Sequence, residues 1–248
     1  MAATWCWWPS PPASSTKSCA TCWTEPAGAC RQTVRRPQNL SPRHRSNSQM
    51  ACRGDIMTPT LIYHVTASLD GYIARPDGRL DWFDTPRQPD EEYSFQYFYA
   101  GIDALLMGRG TYEALLKRGG PWPYPGKPCV VLTRLELPRA GDEVQLTHCT
   151  PAQAVDALRE AGFQRIWLVG GSLLAGSCYT AGLIDEVVIN LVPHLLGAGI
   201  PLLATGMERS LTLSEQRPFT SGMVQLHYQV KKQASQLTQI PTPRSTAA

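Results

Sequence analysis

Apolar positions in this chain are gathered into short runs separated by turn residues. LIYHVTA at 61–67 is β-branched and aromatic and predicts a strand. DALLMG at 103–108, PCVVLTR at 128–134, EVQLTH at 143–148, RIWLVGG at 165–171 and DEVVINLVP at 185–193 predict five more, the 165–171 run fully buried. SLTLSEQRPF at 210–219 and MVQLHYQV at 223–230 alternate in period two and predict a terminal antiparallel pair. Helical patterns fall between the runs. PDEEYSFQYFYAG at 89–101 begins with acids and ends in glycine; Phe95, Phe98 and Tyr99 share one face with Glu92 nearby. TYEALLKR at 111–118 is a short helix with a basic end, and SLLAGSCYTAG at 172–182 another. TPAQAVDALREAG at 150–162 is the cleanest: Thr150 caps it, Pro151 sits in the first turn and Gly162 closes it.

About eight strands and four helices therefore alternate until the last two strands, which pair alone. That order means α/β, with a mainly parallel sheet and an antiparallel edge. Between the first strand and the first helix, SLDGYIARPDGRLDW at 68–82 carries two Asp-Gly pairs and predicts a structured loop or hairpin. HLLGAGIP at 194–201 predicts a glycine-rich loop. No internal repeat is visible, and the polar stretch 232–248 offers nothing to a core, which predicts a disordered tail.

The first 56 residues stand apart. They have no strand or helix period, and they hold seven basic and two acidic residues of the chain's 23 and 20, so the remainder carries 16 and 18. The body is slightly acidic, which argues against nucleic acid as its partner. Five of the eight cysteines also lie in this segment; Cys129, Cys149 and Cys178 are scattered through the body, do not make a disulfide framework, and point to a cytoplasmic protein. Three readings of the segment compete: a Ser- and Arg-rich presequence, a thiolate metal site around Cys19, Cys22 and Cys30, or an upstream extension of a protein that starts at Met57. The third is preferred, because MTPTLIYHV brings a strand almost at once. In every reading residues 1–56 are a disordered or spurious extension, residues 57–231 the domain. No apolar run approaches the length of a membrane span, and no histidine pair has metal-ligand spacing, so neither membrane nor metal is expected.

Chemistry concentrates at three strand ends. LLMGRGT sets Gly108, Arg109 and Thr111 before a helix; VVLTR sets Thr133 and Arg134 at a strand end; WLVGGS sets Gly170, Gly171 and Ser172 before another helix. Ligands of such sheets bind at the carboxyl ends of strands. A helix start offers free N–H groups to a phosphate, glycine lets the oxygen approach, and arginine gives a planar fork. Singly each is weak, since a Gly-Gly after a strand is more often a tight connection. Together they favour a ligand with several phosphates.

VTASLDGYIARPDGRLDW, LLMGRGTYEAL, VVLTR, LVGGSLLAG and LIDEVVINLVPHLLGAGIPLL occur in an order that resembles the dihydrofolate-reductase-like superfamily. The closest likeness is to the C-terminal reductase domain of the bifunctional riboflavin deaminase-reductase and its stand-alone relatives, over about residues 60–230. The resemblance implies a three-layer α/β/α sandwich on a mixed, mostly parallel eight-stranded sheet, a homodimer, and NADPH as cofactor. It implies a first phosphate turn at Gly108, Arg109 and Thr111, a 2′-phosphate group at Arg109, Thr133 and Arg134, and a pyrophosphate turn at Gly170, Gly171, Ser172 and Leu173. Ala67 and Ile73 would wall the nicotinamide. The reaction would be hydride transfer to a polarised C=N or C=O of a small heterocyclic or carbonyl substrate.

The catalytic candidates are Asp70, carried over by the SLDG motif, and Glu92, on the helix where dihydrofolate reductases carry an acid. Asp70 can instead shape its loop, and Glu92 can simply belong to the acidic first turn of a helix. Asp185 reads as a cap, His194 as a substrate neighbour, His64 as a core or edge residue. No deaminase zinc motif is present, so the chain is not the bifunctional enzyme. Two alternatives stand beside the general reductase. One is the 5-amino-6-(5-phosphoribosylamino)uracil reductase, whose substrate phosphate would need Arg75 or Arg79. The other is a nucleotide-binding module without catalysis.

Overall fold

The computed structural model describes residues 59–83, 88–204 and 208–231. The expectations for residues 1–56, for a start at Met57 and for the tail 232–248 lie outside them. Ten strands follow: β1 (Thr60–Ser68), β2 (Tyr72–Ala74), β3 (Ala104–Gly108), β4 (Cys129–Leu132), β5 (Val144–Thr147), β6 (Arg165–Gly170), β7 (Glu186–Val192), β8 (Ile200–Pro201), β9 (Leu211–Pro218) and β10 (Val224–Val230). Four helices accompany them: α1 (Pro89–Ala100), α2 (Arg109–Arg118), α3 (Pro151–Glu160) and α4 (Ser172–Thr180).

Eight strands form one sheet in the order β5-β4-β3-β6-β1-β7-β10-β9. All neighbours from β5 to β7 are parallel, and β10 runs antiparallel to both β7 and β9. The α/β reading of the sequence is the fold found. The first loop is structured, as expected: it turns back on itself between Arg75 and Arg79, where the Arg75 N–H donates to the Arg79 carbonyl at 2.9 Å. Its strand β2 pairs across sequence with β8 inside the glycine-rich loop. A Cβ on Gly199 would collide with the carbonyl of Ala74, so only glycine permits this contact.

The parallel strands are buried because helices cover both faces. One core layer joins Leu61, Tyr63, Leu106, Leu158, Ile166 and Leu168 to α3 and α4. The other joins Ile62, Leu105, Met107, Tyr112, Val131 and Trp167 to the α1 and α2 side. Alternating residues of β1 thus feed opposite layers, as strand pleating requires. Polar side chains fix the strand starts. Asp185 accepts from the Leu61 N–H at 2.8 Å and faces Arg159 at 3.6 Å, and Asp103 accepts from the N–H groups of Gln164 and Arg165 at 2.9 and 3.0 Å. The expected cap at Asp185 is therefore a clasp between β1 and the start of β7. On α4, Gly176 lies so close to Ala204 that a Cβ would penetrate its carbonyl. Among the described residues no helix is long and apolar enough to cross a membrane.

Candidate active site

Parallel register brings the predicted strand ends to one edge. Gly108 stands beside Leu132, and Met107 beside Gly170. Helix α2 starts at once from Gly108 and α4 from Gly171, both without a side-chain cap, so both present unsatisfied N–H groups. The two turns abut. A Cβ on Gly108 would lie 3.4 Å from Leu174 Cβ and 3.6 Å from the Gly170 oxygen, and one on Gly171 3.2 Å from Thr111 Oγ1. The Gly170–Gly171 peptide is cis, and Gly170 has φ 131°. Ser172 is buried, yet its Oγ has no hydrogen-bond partner. Buried hydroxyls are normally satisfied, so this one fits a ligand oxygen. Leu173 beside it is 79% exposed.

Arg109 and Arg134 are exposed near this edge. Thr133 is buried, and its Oγ1 both accepts from the Leu135 N–H at 3.0 Å and donates to the Leu135 carbonyl at 3.2 Å. It shapes the turn that presents Arg134. The Tyr112 hydroxyl ties the following loop to α2, donating to the Pro138 carbonyl at 2.7 Å and accepting from the Ala140 N–H at 2.8 Å.

From these turns an open cleft of about 2460 Å³ runs past β1 to the first loop and α1. A single drug-sized ligand needs roughly 300–1,000 Å³, so the cleft has room for two ligands. Its charges separate. Among the described lining residues, the half near α2 and the strand ends carries Arg109, Lys117, Arg118 and Arg134 against Glu113. The half near the first loop and α1 carries Asp77, Asp81, Glu91 and Glu92 against Arg79. The basic half, with its two helix starts and the open Ser172 hydroxyl, fits the phosphates of a dinucleotide.

The second half contains a chain of hydrogen-bonded polar side chains contributed by four elements. Gln225 Nε2 on β10 donates to Asn190 Oδ1 on β7 at 2.8 Å, and Asn190 Nδ2 lies 3.1 Å from His64 Nε2 on β1. The Asn190 amide is thereby oriented with its NH2 toward the ring, so His64 Nε2 accepts. Gln225 Oε1 in turn takes His227 Nε2 at 2.9 Å and Ser94 Oγ of α1 at 3.4 Å. His64 is buried edge-on against Phe98, with ring centroids 4.2 Å apart. Aromatic walls, including Phe95, Trp167 and Phe219, line the same space.

Glu92 lines this half and accepts from Gln96 Nε2 at 2.8 Å. Its neighbours hold α1 in place. Asp90 accepts from the Thr220 N–H at 3.0 Å, and Glu91 accepts from the Ser221 hydroxyl. Ile73 lines the cleft, whereas Ala67 is wholly buried behind it. Asp70 lies outside the cleft lining. Its oxygens accept from Ser68 Oγ at 2.6 Å and from the N–H groups of Leu196 and Gly197 at 3.0 and 2.7 Å. These bonds, led by Ser68, hold its carboxyl down at about 2. That geometry is of a carboxylate that joins the first loop to the glycine-rich loop. His194 is exposed and packs near Trp82, with centroids 6.0 Å apart, rather than lining the cleft. Arg75 and Arg79 are engaged within their own loop: Arg75 with Asp81 at 2.7 Å, Arg79 with Asp77 at 2.6 Å and with Asp81 at 3.4 Å.

Sequence reasoning singled out the three glycine- and arginine-bearing strand ends but missed Ser94, Asn190 and Gln225. The one available signal was an amide at 190 inside an otherwise apolar strand.

The sheet order, the abutting turns and the two-part cleft define a dihydrofolate-reductase-like α/β protein. The dihydrofolate reductase of Enterococcus faecalis, solved with NADP(H), has this fold: TM-score 0.52 at 16% identity, covering 70% of this chain and 97% of that one. The model of the RibD C-terminal domain matches residues 59–225, and the chain belongs to that family. It is 34% identical over 173 residues to the uncharacterized protein YwjB of Bacillus subtilis, covering 67% of this chain and 95% of YwjB. A protein of Shewanella sp. PV-4, assigned provisionally to riboflavin biosynthesis, superposes with TM-score 0.63 at 30% identity, covering 70% of this chain and 99% of that structure.

Proposed function

We propose that this protein is an NADPH-dependent reductase that delivers a hydride to a small heterocyclic or carbonyl substrate. The observation that carries the reading is the pair of abutting helix starts with the buried, unpartnered Ser172 Oγ at the basic end of the cleft. Family membership and the fold shared with a dihydrofolate reductase support it. Gly108, Arg109 and Thr111 would hold one phosphate group, and Gly170, Gly171, Ser172 and Leu173 the pyrophosphate. Arg109 and Arg134, with Thr133 fixing the turn, would hold the adenosine 2′-phosphate. Ile73 would face the nicotinamide, with Ala67 supporting it from behind. NADPH when bound supplies the hydride itself. The chain's part is to orient the two ligands, exclude water with the aromatic walls, and set the Glu92 carboxyl at the substrate end as the candidate acid-base group.

The test is cofactor selectivity. Arg134→Ala should weaken NADPH binding about tenfold or more and leave NADH binding unchanged, since a charge-assisted bond to phosphate contributes about 1.5–3 kcal/mol. Equal loss for both cofactors would overturn the assignment of Arg134. A homodimer is part of the same proposal. Strand β9 is exposed throughout, with Leu211 and Leu213 on an open sheet edge. A monomeric mass by light scattering would overturn it. The buried thiols of Cys129 and Cys178 support a reducing compartment such as the cytoplasm, and fractionation tests it.

A further inference from the structure

The substrate end of the cleft has its own electrostatics. Among its described lining residues stand four carboxylates, Asp77, Asp81, Glu91 and Glu92, and one cation, Arg79. Arg79 already pairs with Asp77 and Asp81, and Arg75 behind it pairs with Asp81. The loop arginines that a substrate phosphate would need are therefore held by carboxylates of their own loop. A phosphate entering here would meet like charges, whose juxtaposition is strongly unfavourable. The floor is neutral. Ser94, Asn190 and Gln225 form one hydrogen-bonded set, and the amides of Asn190 and Gln225 each carry a second N–H beyond the bond described. Those donors suit carbonyl or ring-nitrogen acceptors. Phe95, Trp167 and Phe219 offer flat apolar faces to a planar ring.

We infer that the substrate is a planar heterocycle bearing no phosphate, neutral or cationic, read through its polar edge by Asn190, Gln225 and Ser94 and attracted by the carboxylates of α1, since those of the first loop are balanced by Arg75 and Arg79. This rests on the reductase reading and narrows it. It separates the chain from a reductase of phosphoribosylated pyrimidines, since both would use the same basic half for cofactor and differ only at this end.

The experiment uses the full chain. NADPH binding is measured first by calorimetry; its absence would sink the reductase reading by itself. With NADPH saturating, binding of a matched pair follows: 5-amino-6-ribosylaminouracil and its 5′-phosphate. The phosphate-free member should bind at least tenfold more tightly. Equal or tighter binding of the phosphorylated member would overturn the inference while leaving the reductase reading intact, and so would binding of neither. A second arm uses Asp77→Asn/Asp81→Asn, which releases Arg79. It should strengthen binding of the phosphorylated member severalfold and leave NADPH affinity unchanged. No gain for that member, in a variant that still binds NADPH, would also overturn it.

Discussion

Gly170 and Gly171 are adjacent, yet a methyl group should do opposite things at the two. Gly171 has φ −86° and ψ −168°, a conformation open to alanine. Its new Cβ would lie 3.2 Å from Thr111 Oγ1, a tight contact with the end of a small side chain. Against that strain, alanine restricts the unfolded chain by about 0.4–1 kcal/mol, so Gly171→Ala should leave stability within about 1 kcal/mol of the parent. In the proposed reading the methyl would nevertheless crowd the start of α4, where the pyrophosphate is assigned. Loss of one charge-assisted bond of about 1.5–3 kcal/mol weakens NADPH binding roughly tenfold to a hundredfold. Gly170 has φ 131°, which a side chain adopts only at a cost of about 1–3 kcal/mol. Gly170→Ala should therefore lower the melting temperature by roughly 2–4 °C for each kcal/mol. Thermal denaturation with and without NADPH reads both. At one hundred times the parent Kd the cofactor should stabilise the parent by about 2.7 kcal/mol, and a tenfold-weaker Gly171→Ala by about 1.4. If Gly171→Ala melts like the parent and gains the parent's full NADPH stabilisation, the cradle is misassigned.

Two further outcomes follow from the geometry. Asp70 has its carboxyl lowered from 3.8 to about 2, so the loop stability it confers is present above the ordinary carboxylate range and is lost as pH falls through about 2. Native-state hydrogen exchange should show the Leu196 and Gly197 amides protected at pH 4 and faster in Asp70→Asn; equal exchange in the two proteins would mean that the clamp holds nothing. Gly176→Ala, which in an exposed helix would add about 1 kcal/mol, should here destabilise by roughly 1–3 kcal/mol, because the methyl meets the Ala204 backbone. A melting temperature at or above the parent's would refute that close approach.

The sheet was legible because its parallel strands are covered on both faces and must be continuous apolar runs, as at Leu105–Leu106–Met107 and Ile166–Trp167–Leu168. β2 and β8 were not, since three and two residues carry no period and pair across the length of the domain. The same distinction divides the site. Glycines before a helix mark themselves, because backbone approach needs them wherever they stand. Gln225 and Asn190 carry no such mark: each is one polar position in a strand, and only the antiparallel pairing of β10 with β7 sets Gln225 opposite Asn190. Arg75 and Arg79 looked available for a phosphate because the turns that bring Asp77 and Asp81 onto them are made by the folded loop.

The position of β1 has a practical consequence. It is an inner strand, parallel to β6 and β7, so the chain enters the sheet at Thr60, at the edge opposite the glycine turns. β10 runs the other way, and its last residue, Val230, donates to the carbonyl of Asp185 just before β7 starts. Both ends of the described domain therefore leave from the side opposite the glycine turns. A label attached at Pro59 or Lys231 would sit on that side, and a protein held there can present its glycine turns to solution.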